Sequence, residues 1–197
     1  MTVFGRASFS CALGAAAQLL PLTASADELV IRRAGAHPDY VFEAEPHLVL
    51  GFIDPPGPDV DEDFGIGPGF RGTIEIVDNG FVPSINNSVG VGFGLDWVFY
   101  SDVRRCRGPG PRGVCEITGQ DVNYFWLPIV LQWNFWLSEQ WSVFGEPGFG
   151  FRIVDPGDDK FQFIVLYAGG RWRFAERMAL TMRAGYPTFS VGVSFLL

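Results

Sequence analysis

The chain has 197 residues, of which 48% are hydrophobic and 15% aromatic, and its formal net charge is −8 at pH 7. That length suits a single domain, and the acidic balance argues against a general nucleic-acid binder, which would present a basic face. After Leu22, no apolar run reaches the roughly 20 residues that a transmembrane helix needs. The abundant apolar side chains must therefore lie in shorter segments.

Residues 1–26 have the pattern of a secretory signal peptide. Arg6 supplies a positive charge, an apolar stretch follows, and Ala24-Ser25-Ala26 gives the small-residue pattern that precedes a cleavage site. A short membrane anchor is the alternative, but the stretch falls short of about 20 residues. Cleavage would leave residues 27–197, with a net charge of 13 − 22 = −9. We expect residues 27–39 to form a periplasmic segment.

Eight segments of the remaining chain alternate between large apolar residues and small or polar ones. This period of two is typical of strands whose two faces meet different surroundings. We therefore predict a closed, up-and-down antiparallel transmembrane β-barrel of eight strands over residues 40–197, with ten shorter strands as an alternative. The predicted strands cover residues 40–52, 64–77, 88–100, 123–137, 141–154, 163–174, 178–186 and 188–197.

The charged side chains of these segments share the parity of the glycines. An Arg facing lipid near the bilayer centre costs about 2–4 kcal/mol, so this parity should face the lumen. Five acids and five bases then balance inside the barrel. We interpret them as an ion network that plugs the lumen, with a proton or ion path as the alternative. The ten residues are Glu43, Glu45, Glu75, Asp96, Glu146, Arg71, Arg152, Arg171, Arg173 and Arg183.

Aromatic residues of the opposite parity cluster near the strand ends, as in the interface girdles of membrane barrels. They are Tyr40, Phe52, Trp97, Phe99, Trp133, Phe135, Trp141, Trp172 and Phe174. The connections 54–63, 101–121 and 155–160 are polar and mostly long, whereas 138–140 and 175–177 are tight. Long outer loops and short inner turns place both termini in the periplasm. The connection 79–87 is long for an inner turn.

Four prolines lie inside predicted strands, at Pro46, Pro68, Pro128 and Pro147. Each removes a ladder hydrogen bond, and a closed barrel offers no edge where the loss would not matter. We therefore expect bulges at these prolines, with a local shift of the alternation.

Cys106 and Cys115 form an even pair in a Gly-, Pro- and Arg-rich connection, while Cys11 lies in the predicted signal peptide. In an oxidising compartment the pair should form a structural disulfide. A metal pair is the alternative, although no His or third Cys lies nearby. The residues assign no cofactor, no metal site and no catalytic group.

The chain resembles the OmpA/OmpX-like small outer-membrane barrels. The resemblance lies in pattern and rests on Phe-Trp-Leu-Ser-Glu-Gln-Trp-Ser-Val-Phe at residues 135–144, on the Gly-rich 146–151, and on the C-terminal 190–197. Such barrels usually end in a strand with a terminal aromatic, whereas Phe195 here comes two residues early. The resemblance implies a location in the outer membrane, against lipid and lipopolysaccharide; we expect a monomer. The resemblance assigns no function to any individual residue.

Further charged and polar residues are candidates for binding or catalysis. Acidic runs at 59–63 and 155–159 could hold Ca²⁺, but their spacing matches no EF-hand loop. Arg104, Arg105, Arg107 and Arg112 flank or occupy the predicted disulfide loop and could contact lipid A phosphates. His47 lies beside Glu45, but a lipid hydrolase or acyltransferase would need a nucleophile near it, and no Gly-x-Ser-x-Gly is present.

The sequence thus favours a structural, adhesion or interaction protein of the outer membrane, without enzymatic activity. A lipid-modifying outer-membrane enzyme is the first alternative. A soluble exported barrel that binds an apolar ligand is the second, and it would need an apolar interior and a polar exterior.

Overall fold

The computed structural model describes residues 29–51, 64–101, 104–107, 114–117, 121–155 and 159–197, with backbone only for 104–107 and 114–117. Among these residues, no helix is long and apolar enough to cross a membrane. The strands are β1 Phe42–Gly51, β2 Gly65–Val77, β3 Asn87–Tyr100, β4 Arg104–Arg107, β5 Val114–Ile117, β6 Val122–Trp136, β7 Trp141–Asp155, β8 Lys160–Ala175, β9 Met178–Gly185 and β10 Thr188–Leu196.

Eight of these strands close into an all-antiparallel barrel in the order β1-β10-β9-β8-β7-β6-β3-β2. Closure joins the first and last strands, with Glu43 opposite Leu196 and Gly51 opposite Thr188. The predicted closed antiparallel barrel of eight strands is confirmed, because every barrel strand overlaps the segment predicted for it. Within the described ranges, the two extra strands β4 and β5 pair with each other and with no barrel strand, and they lie between β3 and β6 in the chain; we call them the β4–β5 hairpin.

The side chains alternate between a buried inner face and an exposed outer face. In β6, for example, Trp126 and Gln132 are buried, whereas Ile129 is exposed. The alternation continues through the prolines. Pro46 lies between buried Glu45 and His47, and Pro128 pairs with Gly150 in an unshifted register. The expected shift is therefore absent at Pro46 and Pro128. Beside Pro147, however, the pairing of β7 with β8 does shift, between Gly148 and Gly150.

Residues 29–41 pack across one end of the barrel, and we call them the N-terminal cap. Val30 and Tyr40 are buried with the inward-facing Trp136 and Leu196. The Val30 amide donates to the Leu137 carbonyl at 2.9 Å. The His37 ring stacks on Trp136 at 5.5 Å. The segment predicted as a periplasmic tail thus closes this end, while its periplasmic location stays a prediction.

Tyr40 corrects one expectation. It was predicted as an outward girdle aromatic, but only 5% of it is exposed and its ring packs edge-on to Trp136. The alternation of β1 starts only at Phe42, and the chain turns inward before it. Burial raises the pKa of the Tyr40 phenol, and the nearby Glu43 carboxylate adds to this.

The long connection between β2 and β3 folds back along the outer wall, which explains its length. The Asn87 side chain donates to the carbonyls of Val82 and Ile85 and accepts from Trp133 Nε1. Phe81 packs edge-on against Trp133 at 5.5 Å. Val89 is fully buried despite its outward parity, because this connection covers it.

Candidate functional site: a charged cluster in the lumen

Seven strands each direct polar side chains into the same half of the lumen. We call this set the lumen cluster. It contains Glu43, Glu45 and His47 of β1, Arg71 of β2, Asp96 of β3, Gln132 and Asn134 of β6, Glu146 of β7, Arg171 of β8 and Arg183 of β9. All have inward parity, and all are buried. The period of two places them inside, and closure of the barrel brings them together.

Arg183 joins two carboxylates. Its Nη1 and Nη2 donate to the two carboxylate oxygens of Glu45 at 2.7 and 2.9 Å, and its Nε donates to Glu146 Oε2 at 2.8 Å. The amide of Gln132 donates to Glu146 Oε1 at 2.8 Å. A guanidinium that forms paired, charge-assisted bonds in this way fixes the orientation of both partners.

Arg171 forms a second, parallel arrangement nearer the capped end. Its Nε and Nη2 donate to the Glu43 carboxylate at 2.9 and 2.6 Å, and its Nη1 donates to Asn134 Oδ1 at 2.7 Å. The Phe144 ring lies 4.4 Å from the Arg171 guanidinium carbon and 5.1 Å from that of Arg183. The ring therefore contacts both cations and adds a cation–π attraction to each.

A third group surrounds Asp96. His47 Nε2 lies 2.9 Å from Asp96 Oδ1, and His47 Nδ1 lies 3.2 Å from the Glu45 carbonyl oxygen. Arg71 Nη2 lies 3.5 Å from Asp96 Oδ2, a longer contact than those of the other two arginines. Within the described residues, Arg71 Nε and Nη1 have no hydrogen-bond partner. The network is thus tightest at Arg183 and loosest at Arg71.

Glycines make room for these side chains. A Cβ at Gly94 would lie 2.8 Å from Arg71 Nη1 and 2.6 Å from the Phe70 carbonyl oxygen. A Cβ at Gly69 would collide with the His47 ring. Larger residues at these positions would displace members of the lumen cluster, so the glycines are part of the packing.

The structure brings together seven of the ten charged residues predicted to face the lumen. They are Glu43, Glu45, Asp96, Glu146, Arg71, Arg171 and Arg183. Glu75 lies beside Ser88 and Tyr40 near the capped end. Arg173 lines the rim with Glu139 and Glu176, and Arg152 lies in β7 toward the opposite end. These three lie outside the lumen cluster. The alternation of the sequence predicts whether a side chain points into the lumen, but it does not predict the level along the barrel axis at which it lies.

Sequence reasoning missed four contributors: His47, Gln132, Asn134 and Phe144. Gln132 and Asn134 carried the right signal, since both have the inward parity of their strand. His47 has the same inward parity, although the sequence suggests for it only a catalytic role. The described ring contacts of His47 go to Asp96 and Glu45, which fits a structural part of the network.

The other half of the lumen is mainly apolar, although Arg152 of β7 also has inward parity there. Its buried residues are Val49, Val98, Tyr100, Val122, Tyr124, Trp126, Val154, Val165 and Tyr167. They share the inward parity of the charged residues but lie toward the uncapped end. The described interior therefore has two layers of buried side chains, one ionic and one mainly apolar. A narrow barrel of eight strands has an interior of this size.

The outer wall carries large apolar side chains that are exposed on seven of the eight barrel strands, and β10 is the exception. Examples from different strands are Leu48, Phe70, Leu95, Ile129, Phe149, Leu166, Met182 and, just past β10, Leu197. Aromatic pairs lie near both ends, with Trp141 against Trp172 on one rim and Trp97 against Phe125 on the other. Charged groups inside and apolar groups outside reverse the order of a soluble globular protein.

The backbone of the β4–β5 hairpin places Cys106 directly opposite Cys115. Opposite residues of an antiparallel pair lie about 4.5–5.5 Å apart at Cα, within the range that a disulfide spans. The disulfide itself stays a prediction. Arg104, Arg105 and Arg107 belong to β4, whereas Arg112, the acidic run at 59–63 and residues 156–158 lie outside the described residues. Among the described residues, no group of His, Cys, Asp or Glu is arranged to hold a metal ion.

No family model matches the chain, and no curated protein matches its sequence. Among solved structures, the chain is similar to the outer membrane protein Ail of Yersinia pestis in a phospholipid bilayer nanodisc. The TM-score is 0.42 at 12% identity, covering 81% of this chain and 100% of that one. A similarity of this size assigns neither a family nor a role. The barrel fold rests on the strand register, and the OmpA/OmpX-like resemblance stays a prediction.

Proposed function

We propose that this chain is an integral outer-membrane barrel with a structural, adhesion or interaction role, whose lumen is plugged by the ion pairs of the lumen cluster. One observation carries the proposal: the charged side chains are buried inside the barrel, and the large apolar side chains are exposed on its outer wall. In water that wall would be a continuous apolar surface far larger than a soluble monomer tolerates. In lipid it is the expected surface.

The paired and buried charges of the interior support the proposal that the lumen is plugged. Buried charges persist when they are paired and hydrogen-bonded, and Arg171 and Arg183 meet both conditions. The apolar layer above them adds a second barrier to ions. In this proposal the barrel is a closed scaffold, and its activity belongs to the parts outside the membrane, including the β4–β5 hairpin with its predicted disulfide.

The orientation follows from the same proposal. The capped end, with both the N-terminal cap and the end of β10, faces the periplasm, and the β4–β5 hairpin faces outward. Arg104, Arg105 and Arg107 of that hairpin would then lie at the level of lipopolysaccharide phosphates, which arginines bind well. The eight strands close into a barrel without a second copy, which supports a monomer.

The test compares unboiled and boiled samples of the membrane fraction on a denaturing gel. A closed, detergent-resistant barrel runs at a different mobility before boiling, and we expect this shift in the outer-membrane fraction. Soluble material without a shift would contradict the proposal. The charged interior and the apolar outer wall would then need an explanation that does not involve a membrane.

A further inference from the structure

The N-terminal cap is a compact unit with a fixed base. Inside it, the Arg33 amide donates to the Val30 carbonyl at 2.8 Å, and the Ala36 amide donates to the Arg33 carbonyl at 3.1 Å. At its base, the Val41 amide donates to the Leu197 carbonyl at 2.8 Å, which joins the cap to the end of β10. The residues before Val41 are therefore able to move as one body about this base.

Asn86, in the long connection between β2 and β3, joins the cap to the barrel wall. Its amide donates to the Ile31 carbonyl at 2.7 Å, and its side-chain Nδ2 donates to the Ala36 carbonyl at 2.9 Å. Its own carbonyl accepts from the Trp136 amide of β6 at 3.0 Å. Asn86 is fully buried. One residue thus binds the cap at two points and the barrel at a third, and we call Asn86 the latch.

Polar side chains of the barrel lie directly beneath the cap, and we call them the upper polar layer. Each is at most 2% exposed, and they are Glu43, Ser88, Asn134, Ser142 and Arg171. Tyr40 of the cap reaches this layer, because its phenol interacts with the Ser88 hydroxyl and with the charges of Glu43 and Arg171. The cap therefore separates the upper polar layer from the water at this end of the barrel.

Three buried polar atoms near the cap have no hydrogen-bond partner within the described ranges. They are Glu75 Oε2, Asn86 Oδ1 and Ser142 Oγ. A buried polar atom that lacks a partner raises the free energy of the state in which it is buried. Contact with water after the cap moves away would remove this cost, so these atoms lower the free energy that separates an open state from the closed one.

The cap is packed against the barrel but does not belong to its strands. Val30 and Tyr40 are buried in one cluster with Trp136. The His37 ring stacks on the same tryptophan. A barrel strand such as β1, by contrast, pairs along its length with two neighbours. Elements that are held by packing and a few hydrogen bonds open locally at a lower free energy than a paired strand.

We propose that the N-terminal cap is a movable lid with Asn86 as its latch, and that its opening admits water and small polar solutes to the upper polar layer. The barrel stays closed during this motion, because none of its eight strands includes residues 29–41. The lid adds to the proposed scaffold role a controlled route into one end of the lumen. It depends on the closed barrel and not on the membrane placement.

The test introduces a thiol into the upper polar layer by Ser142→Cys, in the folded full chain in detergent micelles. A small, water-soluble methanethiosulfonate reagent then reports access from water, and peptide masses locate the labelled residue. Adding Asn86→Ala should speed labelling there at least about tenfold, because the latch loses its bond to Ala36. Equal rates with and without the latch would overturn the proposal. Labelling with the latch intact that is as fast as that of an exposed thiol would also overturn it, since the layer would already be open.

The matched control is Asn123→Ala at the uncapped end. It also removes an asparagine side chain that forms a hydrogen bond, since Asn123 Oδ1 accepts from Trp97 Nε1 at 3.0 Å. Labelling of the thiol from Ser142→Cys should stay at its original rate in this variant. A similar increase for both asparagine variants would mean a general loosening of the barrel and would contradict a latch at Asn86.

Amide hydrogen exchange supplies a measurement on the unaltered chain. Opening of the lid breaks the bonds of the Val30 and Asn86 amides together, so both should exchange at least about tenfold faster than Ile129. Ile129 lies in the middle of β6, opposite Phe93 and Phe149. Exchange of all three amides at one rate would mean that the cap does not open by itself, and the proposal would fall. The mobility shift on boiling reports separately on the barrel, so this failure would leave the proposed membrane role standing.

Discussion

At the scale of single residues, the position of a charged side chain in the barrel decides how much it contributes to the stability of the fold. Arg183 is fully buried between two carboxylates, whereas Arg173, with the same predicted role, lies at the rim. In a buried ion pair, the attraction between the two charges offsets the large cost of removing them from water. Removing one partner leaves the other charge buried with that cost uncompensated. A rim charge keeps most of its water and contributes little.

We therefore expect Arg183→Met to destabilise the barrel by about 3–5 kcal/mol, because Glu45 and Glu146 stay buried without their partner. Arg173→Met, the matched control, should cost about 0–1 kcal/mol. Reversible urea unfolding in lipid vesicles measures both. A similar loss for the two variants would show that the lumen cluster contributes no more than the rim.

At the scale of elements, the N-terminal cap and the β4–β5 hairpin depend on contacts outside the barrel ladder. The cap is held by Val30 and Tyr40 against Trp136 and Leu196, and by the stacking of His37. The hairpin is held by its own register of four pairs. Both elements can therefore be perturbed without opening the barrel.

The cap can be released by a charge at its buried residue. Arg32 and Arg33 are exposed but belong to the folded cap. Val30→Asp should release this segment and increase trypsin cleavage there several-fold, because a protease needs an unfolded stretch, while the mobility shift on boiling is unchanged. Leu29→Asp changes the adjacent, exposed residue and should leave cleavage as in the unaltered chain. Equal protection in all three proteins would contradict the packing of the cap.

The hairpin carries the predicted disulfide. In protein secreted through an oxidising compartment, Cys106 and Cys115 should resist alkylation under denaturing conditions until a reductant is added. The mass should then rise by two alkyl groups. Cys106→Ser is the control and should leave Cys115 reactive without reductant. Two reactive thiols in the oxidised, unaltered chain would contradict the disulfide.

At the scale of the whole molecule, the distribution of charge and apolar surface decides the environment. Ile129 lies midway along β6 on the outer wall, whereas Phe174 lies near the end of β8. An Arg costs about 2–4 kcal/mol near the bilayer centre and about 0–1 kcal/mol near its surface. Ile129→Arg should thus be clearly more destabilising than Phe174→Arg in vesicles. If the chain were soluble, it would fold in aqueous buffer and the two variants should lose similar amounts of stability there. That result would contradict the membrane placement.

The sequence by itself determined the strands, their faces and the fold class, because all three depend on a local period of two. Residues 64–77, for example, form β2 almost to the residue. It also determined which charges face the lumen, since inside and outside differ by parity alone.

Only the tertiary structure decided which of those charges meet. Glu43 and Arg171 lie 128 residues apart in the chain and join across the barrel, at a height set by the stagger of the strands. The same holds for the inward Tyr40 and for the connection that covers Val89. Each depends on where one element ends relative to a neighbour, and a repeating pattern of two residues carries no information about relative height.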